Sequence, residues 1–95
     1  MRQDQKEFLK NYQPKDKFFT NWEEVDLIKE KLELEGMDAD QLCEIRDEVV
    51  EYYEGLRDKL FDTDREKFYD MMESIQSVTA VIDHQKAAIG AFSRI

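Results

Sequence analysis

The stretch that decides the fold is residues 64–93, DREKFYDMMESIQSVTAVIDHQKAAIGAFS. Its apolar residues recur in steps of three and four, a spacing that places them on one face of a single long helix. A helix with such a face needs other protein to cover it. The face, which includes one glutamine, consists of Phe68, Met71, Ile75, Val78, Ile82, Gln85, Ile89 and Phe92.

The segment before this stretch predicts a second long helix, over residues 39–61. Its apolar residues keep helical spacing from Leu42 to Leu60. Asp38 and Gln41 stand in the order of a capping box, in which each side chain bonds the backbone N–H of the other residue. We therefore expect this helix to begin directly after Asp38.

A short connection joins the two predicted helices. Thr63 and Glu66 repeat the capping-box pattern, so we expect Thr63 to cap the second helix. So short a link forces helices 39–61 and 64–93 into an antiparallel hairpin, with residue i facing roughly residue 126 − i across a turn centred on Thr63. The helix 39–61 is then expected to cover the helix 64–93 only as far as about Lys86.

The rest of the chain predicts smaller elements of the same all-α, small helical bundle. Residues 21–35 read as a preceding helix that ends at Gly36, and residues 3–12 read as a short helix stopped by Pro14. We take residues 1–95 as a single acidic helical domain, in which residues 1–19 form a basic, flexible lead.

Charge is unevenly distributed, and this excludes some partners. The chain has a net charge of −9, and residues 21–64 alone hold five basic and sixteen acidic groups. Residues 1–20 carry +2 and residues 65–95 carry zero. An acidic surface repels phosphate backbones and anionic lipids, so we expect no direct binding to nucleic acid and no membrane binding.

Two absences predict a cytoplasmic protein. The amino-terminal residues are not followed by the apolar segment of a signal peptide, and no run approaches the roughly 18 apolar residues of a membrane span. Cys43 is the single cysteine, so the chain cannot form an internal disulfide.

The carboxyl-terminal end of the last helix is the first candidate binding surface. Residues 84–95 hold few charges and extend past the cover of the hairpin. We expect a protein partner or a second copy, giving a dimer, to bind there, with the glutamine fixing the register. The alternative is that helix 21–35 or the basic lead folds back over this end. The predicted contact residues are Ile82, Gln85, Ile89 and Phe92.

A stripe of carboxylates on the helix 39–61 is the second candidate surface, which we call the acidic ridge. Such a row can imitate nucleic-acid phosphates, so the alternative hypothesis is a phage-type decoy that inhibits a basic nucleic-acid-binding protein. The plainer reading is a solvated helix face. The ridge consists of Glu44, Asp47, Glu48, Glu51, Glu54 and Asp58.

Enzymatic and metal-binding patterns are weak. Residues 62–73 space carboxylates like a calcium loop, but Lys67 stands where that loop requires glycine. His84 is the only histidine, so a di-iron site lacks its second one, and acidic neighbours surround Cys43. We expect no enzyme, metal, cofactor or small-molecule ligand. A third hypothesis is a helical protein with no activity of its own.

Aromatic residues cluster at the start of helix 21–35. Phe18, Phe19 and Trp22 can bury that helix end or form an exposed anchor of the kind found in binding hot spots. The sequence favours burial, because apolar residues commonly pack at a helix start.

Overall fold

The computed structural model describes residues 1–14 and 22–93, with side chains as far as Gly90. These residues form four helices and no strand: α1 Gln3–Asn11, α2 Trp22–Leu32, α3 Ala39–Leu60 and α4 Arg65–Ser93. The prediction of an all-α small bundle is confirmed. Among the described helices, none combines the length and apolar character that crossing a membrane requires.

Helices α3 and α4 make the most extensive helix contact in the bundle. Residues 61–64 connect them, and at the far end Arg46 Nε donates to Asp83 Oδ1 at 2.9 Å. This packing fits the antiparallel hairpin that the short link predicts. The predicted register placed Arg46 opposite Ala80, whereas Asp83 lies three residues further along α4. The 29-residue α4 continues through Gly90, and the molecule measures 49 × 26 × 21 Å.

The start of α3 agrees with its sequence pattern. Asp38 Oδ1 accepts the backbone N–H of Gln41 at 2.8 Å, and Gln41 Oε1 accepts the backbone N–H of Asp38 at 3.0 Å. Both bonds satisfy donors that the first turn of a helix leaves without an intrahelical partner.

The start of α4 differs from its sequence pattern. Asp64, and not Thr63, caps the helix: Asp64 Oδ1 accepts the backbone N–H of Lys67 at 3.2 Å. Thr63 Oγ1 instead donates to the Lys59 carbonyl at 2.9 Å, at the end of α3. The end of α3 and the start of α4 meet in this short turn, so the Thr63 side chain bonds the end of α3 and the Asp64 side chain bonds the start of α4. The capping box predicted for Thr63 and Glu66 is therefore wrong.

Helix α2 ends three residues before the predicted end, in a left-handed turn at Glu33. The backbone φ of Glu33 is 56°, and the N–H of Leu34 bonds the Lys29 carbonyl at 2.9 Å. This is the Schellman arrangement, in which the residue after the left-handed one packs back on the helix. Leu34 is fully buried, and that burial holds Glu33 in a conformation costing about 1 kcal/mol.

Substitutions at this turn will have opposite effects on stability. We expect Glu33→Gly to be about 1 kcal/mol more stable to urea than Glu33→Ala, because glycine relieves the left-handed strain while both variants lose the ion pair with Arg2. Gly36→Ala should lose about 1 kcal/mol, since Gly36 has φ 88°. Equal stability of the two Glu33 variants would contradict the assigned conformation.

Helix α1 packs into the core instead of forming a flexible lead. Leu9 is fully buried, and Tyr53 Oη donates to the Leu9 carbonyl at 3.0 Å. Ser74 Oγ donates to the Tyr12 carbonyl at 3.1 Å. Side chains of α3 and α4 thus satisfy carbonyls that the end of α1 cannot bond internally. Burial raises the pKa of the Tyr53 phenol, which keeps this donor protonated. Residues 15–19 of the predicted lead lie outside the described residues.

Helix α1 also runs antiparallel to α2. Near one end Gln5 Nε2 donates to the Lys31 carbonyl at 3.2 Å, and near the other Tyr12 Oη donates to Glu24 Oε1 at 2.9 Å. Helix α2 packs in turn on α4. The short helices therefore cover the open end of the hairpin. The buried core consists of Leu9, Tyr12, Val25, Ile28, Leu32, Leu34, Leu42, Ile45, Val49, Tyr53, Met71, Val78, Val81 and Ile82.

Candidate functional site

The predicted contact surface at the end of α4 is mostly covered by the chain itself. Ile82 is fully buried, so its side chain cannot meet a second chain, and its assignment as a contact residue is corrected. Helix α2 packs on α4 nearby, where Val25 of α2 lines one cleft together with Val81 and His84 of α4.

The remaining residues of this predicted surface are less buried than Ile82. Ile89 is half-buried and packs against the core, so cover continues past Lys86, where the sequence predicted it to end. Gln85 is also half-buried. The side chain of Phe92 lies outside the described residues, although its backbone belongs to α4.

The acidic ridge lies entirely on the surface. All six of its side chains are exposed along α3. Glu48 lies 3.4 Å from the amino terminus of Met1, and Asp58 lies 3.5 Å from Arg57. Exposed pairs of this kind are worth only about 0–1 kcal/mol, so they leave the carboxylates available to a cationic partner.

A different apolar surface is exposed, at the closed end of the hairpin. Phe61 is 46 % exposed, Tyr69 61 % and Met72 37 %, while Phe68 between them is half-buried. We call these four residues the tip patch. They leave roughly 300 Å² of apolar surface open, which is in the range of the largest patch on a typical monomer.

The rings of the tip patch hold one another in fixed positions. Phe61 and Phe68 meet edge to face, with centroids 5.3 Å apart and planes at 72°. Phe68 and Tyr69 repeat this geometry at 5.4 Å and 78°. The guanidinium carbon of Arg65 lies 5.0 Å from the Phe61 centroid. Such contacts lower the rotamer entropy that these side chains would lose on binding.

The tip patch lies beyond the described contacts that α1 makes with the hairpin. The end of α1 meets the hairpin at Tyr53 and Ser74, and Phe61 lies about 12 Å beyond Tyr53 along the helix axis. The first turns of α4 carry apolar residues on two faces. Met71 points into the core, so Tyr69 and Met72 are left on the outside.

Sequence reasoning missed the tip patch although a signal for it was present. Arg65, Tyr69 and Met72 follow one another in steps of four and three, which is a second helical stripe beside the buried one, and Phe61 precedes it in the connection. The longer stripe, which ends at Phe92, is the stronger pattern in this helix.

The other candidate residues do not come together as a reactive centre. Among the residues that the structure describes, no group of three or more histidine, cysteine or acidic side chains is placed to hold a metal ion. Cys43 and His84 are both exposed. Trp22 is 67 % exposed, so its predicted burial at the helix start is wrong; Phe18 and Phe19 lie outside the described residues.

Comparisons with protein-family models, with curated proteins and with solved structures found no match to this chain. The chemistry of its own surface is therefore the basis for assigning it a role.

Proposed function

We propose that this chain is a protein–protein interaction module that binds through the tip patch. The single observation that carries the proposal is the exposure of Phe61, Tyr69 and Met72, with the rings of Phe61 and Tyr69 already positioned by their contacts with Phe68. Aromatic residues, methionine and arginine are the residue types enriched at protein interfaces. A preorganised group of them supplies the buried anchors that dominate binding energy.

This proposal keeps binding on the carboxyl-terminal helix but moves it along that helix. The contact surface lies on the first turns of α4, near Tyr69, and not around Ile82 and Ile89. Binding at Ile82 would require the core to open, because that side chain is fully buried, whereas binding at the tip leaves the bundle intact.

Retention of proteins from an extract of the source organism tests the proposal. The immobilised chain should retain specific proteins, and the double variant Phe61→Ser with Tyr69→Ser should lose them, because both side chains are exposed anchors. The matched control is Leu27→Ser, which removes a 39 % exposed apolar side chain from α2. Equal retention of proteins by the unaltered chain, the double variant and the control would argue against the tip patch as the binding surface. Each retained protein is then purified and titrated directly.

A second candidate function is inhibition of a basic nucleic-acid-binding protein through the acidic ridge. It is favoured by the exposure of all six ridge carboxylates on one helix. Binding of this kind depends on exposed charges, so it should weaken steeply between about 0.1 M and about 1 M salt. The variant Glu51→Lys with Glu54→Lys should abolish it while leaving contacts through the tip patch intact.

A further inference from the structure

We infer that the tip patch binds a second copy of this chain, so that two hairpins meet end to end in a symmetric dimer. The inference rests on the proposed function, since it names the partner of the surface proposed there. It follows from the charge around the patch, from the symmetry that two identical surfaces require, and from the area that the patch offers.

The charge around the tip patch has both signs, which lets two copies approach each other there. Each chain carries −9, so a surface of purely acidic sign would repel a second copy. Residues 57–73, which contain the whole patch, hold four basic and six acidic groups. They are Arg57, Asp58, Lys59, Asp62, Asp64, Arg65, Glu66, Lys67, Asp70 and Glu73. Contact at the tip also keeps the two acidic ridges pointing away from each other, because each ridge extends back along α3.

The order of these charges suits a surface that binds itself. In a twofold contact each patch faces its own copy, so a surface with both signs interspersed can place acidic groups against basic ones. Basic residues flank the patch from both helices, with Arg57 and Lys59 on α3 and Arg65 and Lys67 on α4. Asp62 and Asp64 lie between them in the turn. A strongly basic partner would find less attraction here than on the acidic ridge.

The area of the tip patch sets the strength of the contact. Roughly 300 Å² of apolar surface per chain, with a charged rim, is well below the roughly 800 Å² per partner of a standard stable interface. The dimer is therefore weak, and it dissociates on dilution.

Salt dependence gives this dimer a distinctive signature. The apolar contact is insensitive to salt, whereas the repulsion between two chains of charge −9 is screened by it. Raising salt from about 0.1 M to about 1 M shortens the screening length from about 10 Å to about 3 Å. Dimerisation should therefore strengthen with salt, which is the opposite of what binding through the acidic ridge would show.

Sedimentation equilibrium over roughly 5 to 500 µM protein tests the inference, a range that brackets weak association. The unaltered chain should dimerise, more tightly at high salt. Phe61→Ser with Tyr69→Ser should weaken the dimer at least about tenfold, since two exposed anchors are lost, while Leu27→Ser should leave it unchanged. Melting curves serve as the folding control, because all three side chains lie on the surface.

Cross-linking locates the contact independently. Thr63 lies at the apex of the turn, whereas Cys43 lies near the other end of α3, about 26 Å from Leu60 along the helix axis. The variant Thr63→Cys with Cys43→Ser should be joined into dimers by a short thiol-reactive linker. The unaltered chain, with its exposed Cys43, should not.

Each outcome decides one of the two proposals. A strict monomer up to the highest concentration overturns self-association, and a dimer cross-linked through Cys43 overturns the tip patch as its contact surface. If the chain is a monomer, but replacing Phe61 and Tyr69 abolishes its retention of proteins from the extract, the interaction module stands and the partner is another protein. If neither measurement responds to those substitutions, both proposals fail.

Discussion

Replacing Leu9 with alanine will lower the free energy of unfolding by about 2–5 kcal/mol. Leu9 is fully buried between α1 and the hairpin, and the removed methyl groups leave a cavity that the surrounding helices only partly fill. A chain of this length has about 5–15 kcal/mol of stability in total, so the loss should be visible as a much earlier urea midpoint.

The control for this prediction is Lys10→Ala, which changes an exposed neighbour on the same helix. We expect it to alter stability by less than about 0.5 kcal/mol. Unfolding should be followed by circular dichroism at protein concentrations where the chain is monomeric, since dimerisation would add apparent stability. If Leu9→Ala and Lys10→Ala behave alike, α1 is the flexible lead that the sequence suggested.

Replacing Ile82 with alanine will destabilise the single chain by a similar amount, about 2–5 kcal/mol, without weakening self-association. The side chain is fully buried in the core, so its loss affects the core and not a contact with another molecule. Gln76→Ala is the matched control, because Gln76 is exposed on the same helix.

Two measurements separate this prediction from the hypothesis that Ile82 contacts a partner. Urea unfolding at low concentration should show the loss of stability, and sedimentation equilibrium below the unfolding range should show an unchanged dimer. An Ile82→Ala chain that is as stable as the unaltered chain but no longer dimerises would return the contact surface to the end of α4.

The two proposed surfaces occupy different parts of the molecule and respond differently to solvent. The tip patch lies at the closed end of the hairpin and is apolar, while the acidic ridge runs along the outer side of α3. Both can operate in one molecule, since a dimer that meets at its tips leaves the ridges open. Raising the salt concentration should then strengthen association through the tip patch and weaken binding through the acidic ridge.

Much of the fold was predictable because its signals are local. The capping box at Asp38, the spacing of apolar residues along α3 and α4, and the short link between them depend on residues close in sequence. Errors appeared where two local patterns competed. Thr63 matched a capping pattern, yet Asp64 caps α4, and Gly36 matched a helix end, yet Glu33 takes the left-handed position.

The location of the exposed surface was less predictable. The sequence indicated that the hairpin could not cover the apolar repeat of α4 by itself, and it placed the shortage near Ile89. Ile89 is half-buried and packs against the core, whereas Tyr69, which lies outside that repeat, is exposed. The position of α2 depends on tertiary contacts, such as Val25 beside Val81, that no local pattern reports.

The sequence by itself determined the four helices seen in residues 1–14 and 22–93, the pairing of the last two as a hairpin, and the strongly acidic centre of the chain. Helical periodicity and charge are properties of neighbouring residues and need no knowledge of the fold. Only the tertiary structure decided which end of the hairpin is covered. That depends on where α1 and α2 dock, through contacts between residues tens of positions apart, such as Tyr53 with Leu9 and Ser74 with Tyr12.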